Sequence, residues 1–264
     1  MAIEAVMKEL NLDRYDRNAR LRPALFTILP ILVLIAIWYP KVWSLLGALA
    51  SLLVTCGMTF FLAQLARQRG RQLEARWAPA IGRPHSAKLL SHTDPTLPVA
   101  TKARYHTYLS RQGVVLPSAQ QERRAPEKAQ DQYLSAVTWL LEHTRQNASK
   151  SMLLDENIAY GFRRNLMALK PLAIGILILT LAIDGFLIWK SGFASPMLAT
   201  GIVFAVGLAV MLLVWIFYIT KAFVEDASLS YGQRLLAQCE LSGPTVTAQA
   251  RPSDSGSQAR ITQL

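Results

Sequence analysis

The chain has 264 residues, of which 52% are hydrophobic and only 17% are charged. Soluble globular proteins carry about 25% charged residues, and here the shortfall is concentrated in four long apolar runs. The segments between these runs are rich in arginine, and the net charge is +11. These features exclude a soluble enzyme and predict a multi-pass membrane protein.

The four apolar runs predict four transmembrane helices arranged as two helical hairpins. Each run is long enough to cross a hydrocarbon core of roughly 30 Å. A cleaved signal peptide would explain the first run taken alone, but another apolar run follows it at once, so we interpret it as a span. The predicted hairpins are residues 23–66, with spans at 23–39 and 42–66, and residues 171–220, with spans at 171–189 and 197–220.

The basic residues lie almost entirely on one side of the predicted spans. Of the 28 Lys and Arg residues, 26 lie in residues 1–22, 67–170 and 221–264, whereas the two hairpin turns hold only Lys41 and Lys190. Short loops that stay in the cytoplasm collect Lys and Arg. We therefore expect both termini and the central segment to face the cytoplasm.

The N-terminal segment, residues 1–22, has the pattern of an amphipathic helix. Ile3, Val6, Met7 and Leu10 recur at three- and four-residue spacing and are followed by arginines. This pattern is typical of a helix that lies on the inner leaflet. Such a helix would serve as a passive anchor for the first span or, alternatively, as a docking arm.

The central segment, residues 67–170, is large enough to form a basic, helical cytoplasmic domain. The second span is predicted to continue into it as a stalk through Trp77, and its clearest helical periodicity covers residues 126–146. A further helix is expected from Asp155, as its N-cap, through Lys170. No alternating strand pattern competes with these helices, so the predicted fold class is all-α.

The C-terminal segment, residues 221–264, begins with a helix that is expected to run through Leu236. After about residue 242 the sequence becomes rich in Ser, Thr, Gln, Pro and Gly, which is typical of disordered segments. We expect a cytoplasmic tail that is disordered at its end.

The positive charge of the central segment has a simple explanation in the predicted topology. It holds 17 basic and eight acidic residues, a net charge of +9. Nucleic-acid-binding domains combine such a charge with an aromatic stacking platform or a recognisable module, and the sequence offers neither. Anionic lipids of the inner leaflet are therefore an expected partner, and nucleic acid is not.

Three stretches resemble an uncharacterised family of bacterial four-span membrane proteins: HTDPTL at 92–97, TKARYH at 101–106 and ENIAYGFRRNL at 156–166. The resemblance implies a bacterial inner membrane and carries over no known activity. The alternative interpretation of these stretches is packing between helices and, just before the third span, anchoring at lipid headgroups. The candidate residues for binding a protein partner or an anionic ligand are Arg104, Tyr105, His106, Arg163, Arg164 and Asn165.

No pattern in the sequence predicts catalysis, a metal site or a cofactor. The four histidines lack the spacing of a ligand motif such as HExxH, and there is no serine elbow, phosphate-binding loop or dinucleotide glycine pattern. Cys56 and Cys239 cannot form a CxxC pair, so we expect both to be free thiols. A non-enzymatic protein is the prediction.

Asp184 is the one Asp, Glu, Lys or Arg residue inside a predicted span. A carboxylate at the bilayer centre costs about 3 kcal/mol on insertion scales. Because Asp184 precedes Lys190 by only six residues, we expect it to reach the outer interface, to pair with Lys190 or to serve in helix packing. The alternative is a role in coupling protons or ions.

Small residues recur every four positions along the second and fourth spans. Such ridges let helices approach closely, because no large side chain separates the backbones. We expect them to pack the two hairpins within one subunit, and self-association into a larger assembly is the alternative. The residues are Gly47, Ser51 and Thr55 in the second span and Gly201, Ala205 and Ala209 in the fourth.

Three functions fit these patterns. The first is an accessory or effector component, for example of a defence or stress module, whose cytoplasmic domain binds a partner or an anionic signal and whose spans act on the membrane. The second is a scaffold subunit of an envelope secretion or conjugative DNA-transfer machine. The third is a small oligomeric channel or transporter, for which Asp184 is the main support.

Overall fold

A computed structural model describes residues 14–77, 83–144, 152–192 and 195–241. Within these ranges the chain forms helices joined by turns and contains no strand, which confirms the predicted all-α class for this part of the chain. In chain order the helices are α1 (Asp16–Trp38), α2 (Leu45–Trp77), α3 (Arg83–Leu90), α4 (Val99–Arg111), α5 (Ala119–Arg124), α6 (Pro126–Thr144), α7 (Met152–Ser191), α8 (Leu198–Leu213, continued as a π-helix over Val214–Tyr218) and α9 (Lys221–Leu241).

Four of the described helices, α1, α2, α7 and α8, are long and apolar enough to cross a membrane. They correspond to the four predicted spans. A 3₁₀ turn, Pro40–Trp43, joins α1 to α2. The sequence and the structure therefore agree on a multi-pass membrane protein with four spans.

The longest helix, α7, is continuous over 40 residues. The sequence divides this region into a polar helix and a span that begins at Pro171, whereas the structure holds Pro171 inside one helix. Asp155 lies in the first turn of α7 and is not its cap. At about 1.5 Å per residue, α7 is roughly 60 Å long, about twice the thickness of a hydrocarbon core. It therefore extends well beyond the hydrocarbon core, into the polar domain that its first turns form with α3 to α6 and α9.

The second span also continues beyond the apolar region. α2 has 33 residues and ends at Trp77, the end predicted for the stalk. Only its half nearest the polar domain packs into the bundle, where Leu62 and Ala63 are buried against α1. In the other half, Leu46 and Leu53 are 80% and 75% exposed. The outer half of α2 therefore lies apart from the other spans.

The first helix begins before its apolar run. A π-helical stretch, Asp16–Leu21, continues without a break into the first span. Ala19 in this stretch is fully buried, and the stretch contacts α7. Residues 1–13 of the predicted surface helix lie outside the described residues, and the part that is described is an extension of α1 packed on α7.

The polar domain is built from α3 to α6, the first turns of α7, and α9. The sequence predicts an apolar stripe of Tyr133, Val137, Leu140 and Leu141 on α6. The first three are buried in the domain core, and Leu141 is half-buried against it. The sequence predicts that the domain ends at Lys170 and that the segment after the fourth span is a tail, whereas α9 lies in the core. The tail beyond residue 241 lies outside the described residues. The core residues of α9 are Val224, Ala227, Tyr231, Leu235, Leu236 and Cys239.

Two local features fix the ends of elements in this domain. Gly113 ends α4 with a φ of 82°, a conformation that glycine adopts at little cost. Ser118 caps α5 in a capping box with Gln121. The turns between α4 and α5 are therefore set by local sequence.

Candidate functional site

The first triplet of predicted site residues lies on α4 and serves mainly to pack the polar domain. Arg104 forms an ion pair of 2.7 Å with Glu240 of α9, and both side chains are largely exposed. Tyr105 is 5% exposed and lies in the core. The Nε2 atom of His106 lies 2.8 Å from the carbonyl oxygen of Leu90.

The environment of His106 favours its neutral form. Burial lowers the pKa of His106, and the hydrogen bond to the Leu90 carbonyl opposes this effect in part. A carbonyl oxygen can only accept, so Nε2 carries the proton. The ring of His92 lies 4.8 Å away, centroid to centroid. The bond from Nε2 to the Leu90 carbonyl therefore fixes the orientation of the His106 ring within the domain.

A buried polar network, which no pattern in the sequence predicts, lies beside this histidine. The carboxylate of Glu122 accepts hydrogen bonds from the Ser91 hydroxyl, from the His92 backbone N–H at 2.9 Å and from the Tyr133 hydroxyl at 3.0 Å. The ammonium of Lys102 donates to the backbone carbonyls of Ser91 and Asp94, at 2.5 and 2.6 Å. We call Ser91, Asp94, Lys102, Glu122 and Tyr133 the polar network.

The hydrogen bonds of the polar network stabilise the charged form of Glu122. Burial alone raises the pKa of this carboxyl, but the donors from Ser91, His92 and Tyr133 outweigh burial and bring the pKa below its ordinary value. Burial, together with the hydrogen bond to Glu122, raises the pKa of Tyr133. The network therefore holds an anion and a cation that are bonded within the chain, and its chemistry is structural.

The second triplet of predicted site residues lies on α7 at the level where the polar domain meets the spans. Successive residues of a helix point about 100° apart, so three consecutive side chains reach three neighbouring elements. Arg163 donates to Asp226 of α9 at 2.6 Å. Asn165 donates to the Ala19 carbonyl of α1 at 2.7 Å. Arg164, between them, turns towards α2.

Arg164 belongs to a junction cluster, which we define as Glu74, Tyr160, Arg164 and Asn165. One carboxylate oxygen of Glu74 accepts from the Tyr160 hydroxyl at 2.8 Å, and the other pairs with Arg164 at 2.9 Å. The Arg164 and Glu74 side chains are 13% and 21% exposed, so solvent screens this pair only in part. Tyr160 stacks on Tyr231 of α9 with ring planes 8° apart. The cluster joins α1, α2, α7 and α9.

The junction cluster is tightly packed and holds unpaired polar atoms. Arg164 Nε and Asn165 Oδ1 are buried without a hydrogen-bond partner. Gly70 of α2 faces both side chains, and a Cβ at that position would lie 2.7 Å from Asn165 Oδ1. Glycine therefore lets α2 and α7 approach each other here.

One sequence feature could have identified the junction cluster. Glu74 is the only acidic residue in the arginine-rich residues 67–77. A single carboxylate among arginines on a helix that emerges from the membrane is a reasonable candidate for a specific ion pair. Its partner could not be inferred, because Arg164 lies 90 residues further along the chain.

Asp184 pairs with a residue that the sequence does not single out as its partner. Its Oδ1 accepts a hydrogen bond of 2.8 Å from the indole N–H of Trp38, and the residue is fully buried. Lys190 is exposed. The bond to Trp38 places Asp184 in the packing of α7 on α1, which is one of the roles expected for it. The pairing with Lys190 is not among the ion pairs of the described residues.

The small residues of the spans divide into different roles. Gly201 packs closely on Ile188 and Trp38, so it brings α8 against α7 and α1 as predicted. Gly47 instead accommodates the turn that precedes α2, where the nearest atoms belong to residues 41–44. Among the remaining small residues, three are half-buried and one is exposed: Ser51, Thr55 and Ala205, and Ala209.

An apolar groove of about 600 Å³ lies between α1 and α8 at membrane depth. Pro30 and Val33 line one wall, and Val203 and Phe204 line the other. It contains no charged side chain, so it offers no reactive or charge-selective group.

The described residues contain no group of three or more His, Cys, Asp or Glu side chains arranged to hold a metal ion. The two cysteines are free thiols, as expected, with Cys56 exposed and Cys239 buried. The chain matches no protein-family model, no curated protein and no solved structure. The resemblance to the bacterial four-span family therefore stays a prediction from the sequence.

Proposed function

We propose that this chain is a non-enzymatic, four-span protein of a bacterial inner membrane that couples a binding event at its cytoplasmic domain to its spans. The domain would bind a protein partner or an anionic signal. Both termini would face the cytoplasm, where 26 of the 28 basic residues then lie. This is the role of an accessory or effector component.

The observation that carries this proposal is the rigid connection between the spans and the domain. α7 runs through both, α2 leaves the membrane region as a continuous helix, and α9 begins directly after the fourth span. The junction cluster ties these helices together, with Glu74 bonded to Tyr160 and Arg164. Lys170 adds two bonds, to the carbonyls of Ile216 and Ile219 at the end of α8. A rearrangement of the domain would therefore displace the spans.

The first test is the composition of the native complex. The chain, tagged at its C-terminus, is extracted from its own membrane in mild detergent, and its mass and bound components are measured by native mass spectrometry. A stoichiometric protein or small anionic ligand supports the proposal. A homo-oligomer that carries neither and conducts ions in liposomes contradicts it and favours a channel.

The second test asks whether binding at the domain reaches the spans. Cys56 is exposed on the outer half of α2 and accepts a spin label, whereas burial raises the pKa of Cys239 to about 12 and protects that thiol. Removing the bound component should change the mobility of the label in the native chain. An unchanged spectrum contradicts coupling.

A matched pair of variants shows whether the junction cluster carries the coupling. In Glu74→Gln the ion pair to Arg164 is lost, so the mobility change should shrink or disappear. In Asp155→Asn only an exposed pair with Arg14 is lost, so the change should persist. Equal behaviour of the two variants contradicts a role for the junction.

A scaffold subunit is the second candidate, and one observation favours it. The outer half of α2 exposes large apolar residues on several sides, including Leu46, Leu53 and Phe61. Such a surface can pack against spans of other subunits. The scaffold is favoured if the chain occurs in a defined hetero-complex and removal of the other subunits leaves the mobility of the label on Cys56 unchanged.

A further inference from the structure

A groove of about 420 Å³ lies between α2 and α7, beside the junction cluster. Three cationic side chains line it: Arg69 and Arg76 from α2, and Lys170 from α7. The two arginines are seven residues apart, about two helical turns, so they project from the same face of α2. No acidic side chain lines the groove.

The two arginines of this groove differ from the other arginines near the junction in having no carboxylate partner among the described residues. Arg163 and Arg164 are each paired with a carboxylate. Arg69 and Arg76 are exposed and form no ion pair among the described residues. Glu74, which lies between them in sequence, is already bonded to Arg164 and Tyr160. The two guanidinium groups are therefore available to an external anion.

The groove lies at the boundary between the apolar and polar parts of the molecule. Pro171, the first residue of the third apolar run, lines it, and Lys170 holds the last carbonyls of α8 at 2.9 and 2.7 Å. In a bilayer this boundary is the depth of the phospholipid headgroups. Basic pockets between spans on the cytoplasmic side are a known way to bind anionic lipid headgroups.

The surface on the membrane side of the groove is apolar and open. On α7, Ile178 lies about two turns beyond Pro171, and both are exposed. On α2, Phe61 lies eleven residues before Gln72, about three turns, and is 62% exposed. Within the groove, Leu73 and Met167 add apolar contacts. A ligand that is anionic at one end and apolar at the other matches this sequence of surfaces.

We propose that the groove binds one anionic diacyl phospholipid of the inner leaflet. Its phosphate contacts Arg69 and Arg76, because guanidinium groups bind phosphate oxygens in pairs. Lys170 adds its positive charge and its third N–H, since two of its donors are bonded to the Ile216 and Ile219 carbonyls. Its acyl chains lie along Phe61 and Ile178. The site depends on the four-span placement of the chain, but it is independent of what the cytoplasmic domain binds.

The test uses the purified, delipidated full chain and two lipids with identical acyl chains, phosphatidylglycerol and phosphatidylcholine. Binding is measured by native mass spectrometry. The native chain should prefer phosphatidylglycerol, and the double variant Arg69→Gln/Arg76→Gln should bind it about 25-fold more weakly, since each basic residue at a membrane surface contributes roughly a factor of five. Equal affinity of the native chain for the two lipids overturns the proposal.

The matched control removes the same charge from the same helix outside the groove. Arg67→Gln/Arg71→Gln should retain most of the affinity for phosphatidylglycerol, and an equal loss in both double variants overturns a specific site in favour of diffuse attraction. Inorganic phosphate should not displace the lipid at equal concentration. Displacement would identify a free-anion site and overturn the lipid as the occupant.

A second measurement on the native chain keeps the test independent of the variants. Phosphatidylglycerol should raise the unfolding temperature of the native chain more than phosphatidylcholine does, because a ligand that binds only the folded state stabilises it. Equal shifts overturn the proposal. A failure to find a partner of the cytoplasmic domain leaves this result unaffected, so the two proposals are tested separately.

Discussion

Glu122 connects several segments in the described interior of the polar domain. Its carboxylate joins Ser91 and His92 at the end of α3 to Tyr133 of α6. The residue is only 8% exposed, so water cannot replace a lost bond. A buried carboxylate that accepts three hydrogen bonds is stable as an anion. A neutral side chain in its place would leave some of these donors without an acceptor of the same strength.

We expect Glu122→Gln to lower the free energy of unfolding by about 2 kcal/mol, the usual contribution of hydrogen bonds to a charged group. Unfolding of the full chain is followed in mixed micelles. Glu127→Gln, which removes an exposed carboxylate from α6, should change the stability by no more than about 0.5 kcal/mol. A loss of similar size in both variants would contradict the role of the network.

The pH dependence of the same variant follows from the direction of the pKa shift. The folded-state pKa of Glu122 lies below the ordinary value of about 4.3, so its stabilising contribution is complete above that value. The contribution is lost as the pH falls from there through the lowered folded pKa. Glu122→Gln should therefore flatten the acid side of the stability profile, and an unchanged profile would show that other carboxyls control it.

The candidate residues on α4 and α7 show how much of a residue's role can be predicted from the sequence. The sequence singles out Arg104, Arg163 and Arg164 but leaves open whether they bind an outside molecule or pack between helices. Their partners within the chain lie 136, 63 and 90 residues away. Such pairings depend on how helices pack against each other, which the sequence of one helix does not determine.

The approach of α2 to α7 depends on a glycine, and two glycines of the same helix allow a direct comparison. At Gly70 a Cβ would lie 2.7 Å from Asn165 Oδ1, whereas at Gly57 no atom lies within 4 Å. In Gly70→Ala the end of the Asn165 side chain must move, which strains its bond to the Ala19 carbonyl. The bond is 2.7 Å long in a buried site, so weakening it is costly.

We expect Gly70→Ala to destabilise the chain by about 1 to 3 kcal/mol, the usual cost of overpacking. Gly57→Ala should cause no loss, because alanine favours the helix and meets no neighbour. Both variants are measured by denaturant unfolding under the same conditions. Equal stabilities would show that α2 and α7 separate easily at this position.

The junction cluster should behave as one cooperative unit. Glu74→Gln weakens both bonds of the carboxylate and should cost about 2 kcal/mol, and Tyr160→Phe should cost about 1 kcal/mol. Because the two residues share a bond of 2.8 Å, the double variant should cost at least about 0.5 kcal/mol less than the sum of the two. Strict additivity in this double-mutant cycle would contradict cooperativity.

For the helices, the periodicity of the sequence predicts their existence better than the residues at which they begin and end. The stripe of Tyr133, Val137 and Leu140 is buried as expected. Pro171 suggested a boundary that α7 does not have, because a proline is tolerated in a helix whose neighbours secure it. The sequence predicts α9 only as a helix of the tail, since its apolar residues, such as Leu235 and Leu236, show their role only when the domain closes around them.

At the scale of the whole molecule, hydropathy identified the four spans because every backbone group in lipid must be bonded within its own helix. Hydropathy could not show which spans touch. In the structure α7 contacts α1, α2 and α8, so it is the central span of the bundle. This arrangement places Asp184 beside Trp38 and separates it from Lys190.

The orientation of the whole molecule is the remaining prediction, and two exposed positions at opposite ends test it. Ser191 ends α7 at the second predicted turn, and Lys128 lies on α6 in the polar domain. Ser191→Cys and Lys128→Cys are each made in a Cys56→Ala chain and treated with a membrane-impermeant maleimide in intact spheroplasts. Ser191→Cys should be labelled before lysis and Lys128→Cys only after it.

The expected labelling pattern is a consequence of charge. Placing the polar domain outside would require 26 of the 28 basic residues to cross the membrane or face its outer side, against the bias that sets topology. Labelling of Lys128→Cys in intact spheroplasts, with Ser191→Cys protected, would show that the orientation is the opposite of the predicted one. The groove that holds Arg69, Arg76 and Lys170 would then face the outer leaflet, and a lipid of the inner leaflet could not fill it.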